Sequence, residues 1–99
     1  MSLINLAIAD DHKIFREGLK FTLEDCTQLN LIIEATNGKD LIDQIADNKP
    51  DVILMDIKMP EMDGMQATAY IHQHFPDIKI LMLSMHNEDK YILDAMRLG

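Results

Sequence analysis

The chain predicts an α/β fold: a doubly wound parallel sheet with helices on both faces. Three observations carry this. Short apolar runs alternate with segments whose apolar residues recur at helical spacing, in the order βαβαβαβα. Strands separated by helical crossovers pair parallel, because a tight hairpin cannot join them. Three of the four strand segments are continuous apolar runs, as strands covered on both faces must be.

The elements follow in order. Leu3 to Ala9 is short and apolar and ends at Asp10-Asp11. Ile14, Phe15, Leu19, Phe21 and Leu23 recur as on a helix. Asn30 to Ala35 is aliphatic and β-branched, as a strand is. Leu41, Ile42, Ile45 and Ala46 form the next helical stripe. Val52-Ile53-Leu54-Met55 is an apolar run closed by Asp56. Residues 57–64 hold Pro60 and Gly64, which mark a loop. Met65 to Phe75 reads as a helix stopped by Pro76. Ile78 to Leu83 is a fourth strand closed by Ser84, and Asn87 to Leu98 a fourth helix.

Composition narrows the function. The 99 residues fit one domain. With 17 acidic and 9 basic residues the formal net charge is -8, which argues against this chain itself gripping nucleic acid or an anionic membrane. A cation site or a partner with a basic surface suits it. The single cysteine, Cys26, forbids an internal disulfide and fits a reducing, cytoplasmic setting. The N-terminus lacks the basic region of a signal peptide, and no apolar run reaches the roughly 20 residues of a membrane span.

In open sheets of this class, ligands bind beyond the carboxyl ends of the strands. Asp10 and Asp11 follow the first strand there, Asp56 the third and Ser84 the fourth. If the first and third strands are neighbours, three carboxylates converge. Their mutual repulsion and desolvation call for a hard divalent cation such as Mg²⁺. One aspartate after a strand is often only a helix cap. A doublet after one strand and a third after another exceed that explanation.

Val52-Ile53-Leu54-Met55-Asp56-Ile57-Lys58-Met59-Pro60-Glu61-Met62-Asp63-Gly64 resembles the phosphoacceptor segment of bacterial response regulator receiver domains. Ile8-Ala9-Asp10-Asp11-His12, Arg16-Glu17-Gly18-Leu19, Leu81-Met82-Leu83-Ser84-Met85-His86 and Ala95-Met96-Arg97-Leu98-Gly99 are similar to the same family. They are most similar to the subfamily with a LuxR-type helix-turn-helix output domain. The resemblance covers the whole chain.

The resemblance implies a flavodoxin-like sheet of strand order 2-1-3-4. It implies that Asp56 accepts a phosphoryl group from a sensor histidine kinase. Mg²⁺ would be held by Asp10, Asp11, Asp56 and the backbone carbonyl of Lys58. Ser84 would be the switch hydroxyl, and Pro60 and Gly64 would shape the adjoining loop. The family's fifth strand, with its lysine and aromatic residue, and its fifth helix do not occur in residues 1–99, so the chain reads as a receiver truncated after the fourth helix. Self-association or segment swapping is the expected consequence. DNA would be reached only through an output domain that these residues do not include.

A signalling module is thus expected rather than an enzyme. Phosphatases of the haloacid dehalogenase type carry a second aspartate two residues after the nucleophile, where this chain has Lys58. A nucleotide carrier would show a glycine-rich loop after the first strand, and none is there. His12 and His86 fall beside the acidic pocket by strand position, though a solvated loop histidine is the plainer expectation for each. Met59, Met62 and Met65 cluster around the loop after Asp56, where core filling is the expected role.

Overall fold

The computed structural model describes residues 3–83. Strands β1 (Ile4–Ala9), β2 (Leu29–Ala35), β3 (Val52–Asp56) and β4 (Lys79–Leu83) alternate with helices α1 (Lys13–Leu23), α2 (Gly38–Asp47) and α3 (Gly64–His74). The sheet has the order β2-β1-β3-β4 and every pairing is parallel. This is the flavodoxin-like arrangement expected from the resemblance. Ser84, His86 and the helix expected from Asn87 to Leu98 lie outside the described residues.

Alternation along the strands divides the side chains between two faces. Ala7 and Ala9 of β1, Ile53 and Met55 of β3, and Ile80 and Met82 of β4 join Ile33 and Ala35 of β2 on one face. Leu41 and Ile45 of α2 and Ala67 and Ile71 of α3 seal it. Met59 is buried in this core, and Met62 and Met65 pack against it, so the loop methionines fill space as expected.

The other face is covered unevenly. Across it Ile8, Leu54 and Leu81 are register neighbours. Ile8 is fully buried, Leu54 is half-buried and Leu81 is 50% exposed. Helix α1 lies over the β1 and β2 side, above a cavity of about 280 Å³ lined by Leu6, Lys20, Leu23 and Leu31 among others. None of its residues is fully buried. Its apolar positions split into two stripes: Phe15, Leu19 and Leu23 are half-buried, whereas Ile14 and Phe21 are 89% and 75% exposed.

Element ends shift by a residue from the sequence expectation, for local reasons. Asp63 accepts from the Gln66 backbone N–H while the Gln66 side chain accepts from the Asp63 N–H, so α3 begins at Gly64. Phe75 caps its far end ahead of Pro76. Ala46 of the α2 stripe is exposed, because the core meets α2 along Leu41, Ile42 and Ile45.

Candidate functional site

Ala9 of β1 pairs with Met55 of β3, so the residues that follow them emerge side by side. Those residues are Asp10 and Asp56. The Asp10 N–H continues the ladder to the carbonyl of Ala35 at 2.9 Å, which holds Asp10 at the sheet edge. Asp56 is the last residue of β3 and only 6% exposed. Asp10 is 0% exposed, whereas the Asp11 carboxylate turns partly to solvent. Asp10, Asp11, His12 and Asp56 each bring one potential ligand atom to within 4.8 Å of the others.

The pocket has a marked polar imbalance. Oδ1 of Asp10 accepts the His12 backbone N–H at 2.8 Å. Oδ2 of Asp10 is buried without a hydrogen-bond partner among the described residues. A buried carboxylate oxygen left in this state is costly unless something cationic meets it. Asp56 titrates above the ordinary carboxylate range, first because it is buried and next because the Asp10 charge faces it. The backbone N–H groups of Ile57 and Lys58 and the more distant Asp11 charge act in smaller and opposing ways. Three acidic oxygens on one spot, one of them orphaned, fit a hard, oxygen-preferring divalent ion.

His12 lies at the centre of this imbalance. Its Nδ1 stands 3.1 Å from Oδ1 of Asp10, 3.1 Å from Oδ1 of Asp11 and 3.7 Å from Oδ2 of Asp56. The ring is 56% exposed, yet its polar edge points into the pocket. Its pKa is raised, chiefly by the hydrogen bond to Asp10 and then by the Asp11 charge.

The supports reach the pocket from three sides. Arg16 of α1 donates from Nη1 to the Asp10 carbonyl at 2.6 Å. The loop after Asp56 is pinned by two glycines. The Gly64 N–H bonds the Ile57 carbonyl at 2.7 Å, and a Cβ at Gly64 would lie 2.2 Å from the Asp56 carbonyl oxygen. The Gly38 N–H bonds the Met62 carbonyl at 2.9 Å, which a Cβ at Gly38 would approach to 2.7 Å. Between them Pro60 leads into Glu61, whose φ of 64° marks the sharpest bend.

Comparison with known proteins agrees with this geometry. The family described as the response regulator receiver domain matches residues 6–99. The chain belongs to that family. It is 36% identical over 96 residues to the transcriptional regulatory protein DegU of Brevibacillus brevis, covering 97% of this chain and 41% of that protein. It is 36% identical over 97 residues to the response regulator UvrY of Escherichia coli K12, covering 98% and 44%. Among solved structures it superposes with a TM-score of 0.85 and 31% identity on RcsB of Salmonella enterica serovar Typhimurium, covering 94% of this chain and 55% of that one. That RcsB is bound to the promoter rprA in the presence of the phosphomimetic BeF3⁻. The chain therefore spans less than half the length of these curated relatives.

In this receiver domain the expected acidic residues Asp10, Asp11 and Asp56 are brought together. Lys58 follows two residues after β3 with its side chain exposed, and Pro60 and Gly64 sit in the loop and at the start of α3. Ser84 lies outside the described residues, directly after Leu83, which pairs with Asp56. His12 turns its Nδ1 edge toward the pocket while its ring stays 56% exposed, so it is solvated as expected and also in contact with the carboxylates. Arg16 and Gly38 are supports whose roles the sequence reading did not assign. No helix among the described residues is long and apolar enough to cross a membrane.

Proposed function

We propose that this chain is the phosphoacceptor unit of a cytoplasmic phosphorelay. An Asp56 carboxylate oxygen attacks the phosphorus of a phosphohistidine on a sensor histidine kinase. The new P–O bond forms as the P–N bond breaks, and the electron pair leaves with the donor imidazole nitrogen. The product is an acyl phosphate on Asp56.

One observation carries the reading. The Asp56 carboxylate is almost wholly buried at the carboxyl edge of the sheet, facing Asp10, with backbone N–H groups of Ile57 and Lys58 directed to it. Such a group is oriented and lightly solvated, and both favour nucleophilic attack. Asp10, Asp11, Asp56 and the Lys58 carbonyl are the residues assigned to hold Mg²⁺. When bound, Mg²⁺ supplies positive charge that offsets the repulsion between Asp56 and an incoming phosphoryl group.

The new charge on Asp56 is the switch signal. Ser84 is assigned the hydroxyl that answers it, on the family resemblance and on its place after Leu83. Gly64 and Pro60 keep the adjoining loop close enough to respond. Through an output domain the signal reaches DNA and transcription, as the name of DegU and the promoter-bound RcsB suggest for relatives.

The test is incubation with acetyl phosphate and Mg²⁺, read by intact mass. One base-labile phosphoryl adduct is expected on the chain and none on Asp56→Asn. Equal modification of both removes Asp56 from its role. Sustained hydrolysis of a chromogenic phosphate ester would favour a phosphatase instead.

A further inference from the structure

His12 is the N-cap residue of α1, yet its side chain caps nothing. A histidine free of that duty and more than half exposed would ordinarily turn to water. Here the backbone N–H is tied to Oδ1 of Asp10 at 2.8 Å, and the ring folds over the same oxygen at 3.1 Å. Its Nδ1 is thereby placed among oxygens of Asp10, Asp11 and Asp56. A ring N–H at that point does in part what a cation does. It is in hydrogen-bond contact with Oδ1 of Asp10 and stands close to the oxygens of Asp11 and Asp56, which repel one another. It stands in for a cation incompletely, because Oδ2 of Asp10 stays buried and, among the described residues, unpartnered.

We propose that His12 is a tethered occupant of the cation seat, which holds the three carboxylates together in the metal-free chain and has to swing aside before a divalent ion enters. This inference rests on the metal reading given above. It makes His12 a positioning residue with two opposed effects. It keeps the pocket preformed, and it lowers the apparent affinity for the ion, since only the fraction of molecules with the ring swung out is competent to bind. The ring's exposure gives it somewhere to go. Its departure uncovers Oδ1 of Asp10 while Oδ2 already waits.

The experiment measures Mn²⁺ binding from the electron paramagnetic resonance signal of the free ion, at one constant pH, with Mg²⁺ affinity obtained by competition. It compares the chain with His12→Ala, His12→Phe and Asp11→Asn, each first shown to be folded by circular dichroism. Both His12 variants are expected to bind Mn²⁺ and Mg²⁺ more tightly, by roughly three- to tenfold, the fold-change that one net hydrogen bond represents. His12→Phe keeps a ring but removes the N–H, so tightening in both variants supports the proposal. Unchanged affinity in either variant overturns it. Weaker binding in both also overturns it, because the ring is then a ligand. Asp11→Asn separates the two levels of the argument. If it binds as well as the chain does, or if no form binds at all, the metal reading itself fails and takes this one with it.

Discussion

Arg16 and Asp10 are joined by a single bond, from the guanidinium Nη1 to the backbone carbonyl at 2.6 Å. The same guanidinium places Nε 3.9 Å from Oε1 of Glu34 on β2, and Lys20 reaches Oε2 of Glu34 at 3.2 Å. Helix α1 is thus latched to the ends of two strands at the point where the acidic pocket begins. The latch is sheltered, since the Arg16 side chain is only 14% exposed.

Arg16→Ala is therefore expected to cost about 1–3 kcal/mol of stability, the range for losing a charge-assisted bond to a buried acceptor. It is also expected to weaken Mg²⁺ binding, because the Asp10 carbonyl loses its anchor while only the N–H bond to Ala35 remains. Lys20→Ala touches Glu34 but not Asp10. It should lower stability slightly and leave Mg²⁺ affinity unchanged. Chemical denaturation together with calorimetric titration checks both. Equal Mg²⁺ affinity in the two variants would show that Arg16 steadies the helix and not the pocket.

The same substitution at two glycines should have opposite signs. At Gly64 a Cβ would stand 2.2 Å from the Asp56 carbonyl oxygen and 2.9 Å from the Ile57 Cα, both backbone atoms that cannot yield cheaply. Gly64→Ala is expected to destabilise by about 3 kcal/mol or more and to disturb Asp56. At Gly18, inside α1, a Cβ meets nothing within 4 Å among the described residues. Gly18→Ala should stabilise by roughly 0.5–1 kcal/mol through helix propensity, raising the melting temperature by about 4–8 °C per kcal/mol. Two thermal melts decide it. Destabilisation by Gly18→Ala would overturn the assignment of Gly18 as an open helix position.

These pairs also show what the sequence could and could not reveal. Apolar runs ending in aspartate exposed the strands and the acidic edge, because burial on both faces and like-charge repulsion leave marks in residue type. The α1 stripe does not single out one face, since Ile14, Phe15, Leu19, Phe21 and Leu23 satisfy two helix faces at once, and only the folded structure shows Phe15, Leu19 and Leu23 to be the half-buried set. The Asp63–Gln66 box was present in the sequence as an N-terminus signal and would have placed α3 correctly. Strand position put His12 beside the pocket without revealing its contacts there, and the support roles of Arg16 and Gly38 left no such mark. Their partners Asp56, Glu34 and Met62 are brought up by sheet order and loop path, and a side chain's neighbours across strands are not encoded in its local spacing.

Mg²⁺ should stabilise the fold by mass action. An ion present at about a hundred times its dissociation constant adds roughly 2.7 kcal/mol if it binds the folded form alone. That corresponds to a rise in melting temperature on the order of 10 °C for a domain of this size. Asp11→Asn removes a ligand and should abolish most of the rise, whereas Asp51→Asn, on the opposite edge beside Asn5, should leave it intact. Differential scanning fluorimetry with and without Mg²⁺ measures both. A rise that survives in Asp11→Asn would place the ion elsewhere.

Without the ion, stability should fall as pH rises, and the sign follows from two groups. Asp56 has a folded pKa above its ordinary value of 3.8, mainly through burial. Above that value the unfolded chain loses the proton first, so the folded chain binds more protons and the slope of stability against pH is negative. His12 has a folded pKa above its ordinary value of 6.5, mainly through the Asp10 hydrogen bond. Its contribution is complete below that value and is lost as pH rises through the folded one. Asp56→Asn should flatten the acidic limb and stabilise the metal-free chain at pH 7 by about 1–2 kcal/mol, since a partly desolvated charge facing another is removed. His12→Phe should flatten the limb near neutrality and leave the acidic limb in place. Saturating Mg²⁺ should reverse the slope, because the ion binds carboxylates and competes with protons for them. Urea unfolding at several pH values, with and without Mg²⁺, reads all of this. A metal-free slope that is positive from weakly acidic to neutral pH would mean that the three carboxylates are not the costly, mutually opposed group that their geometry implies.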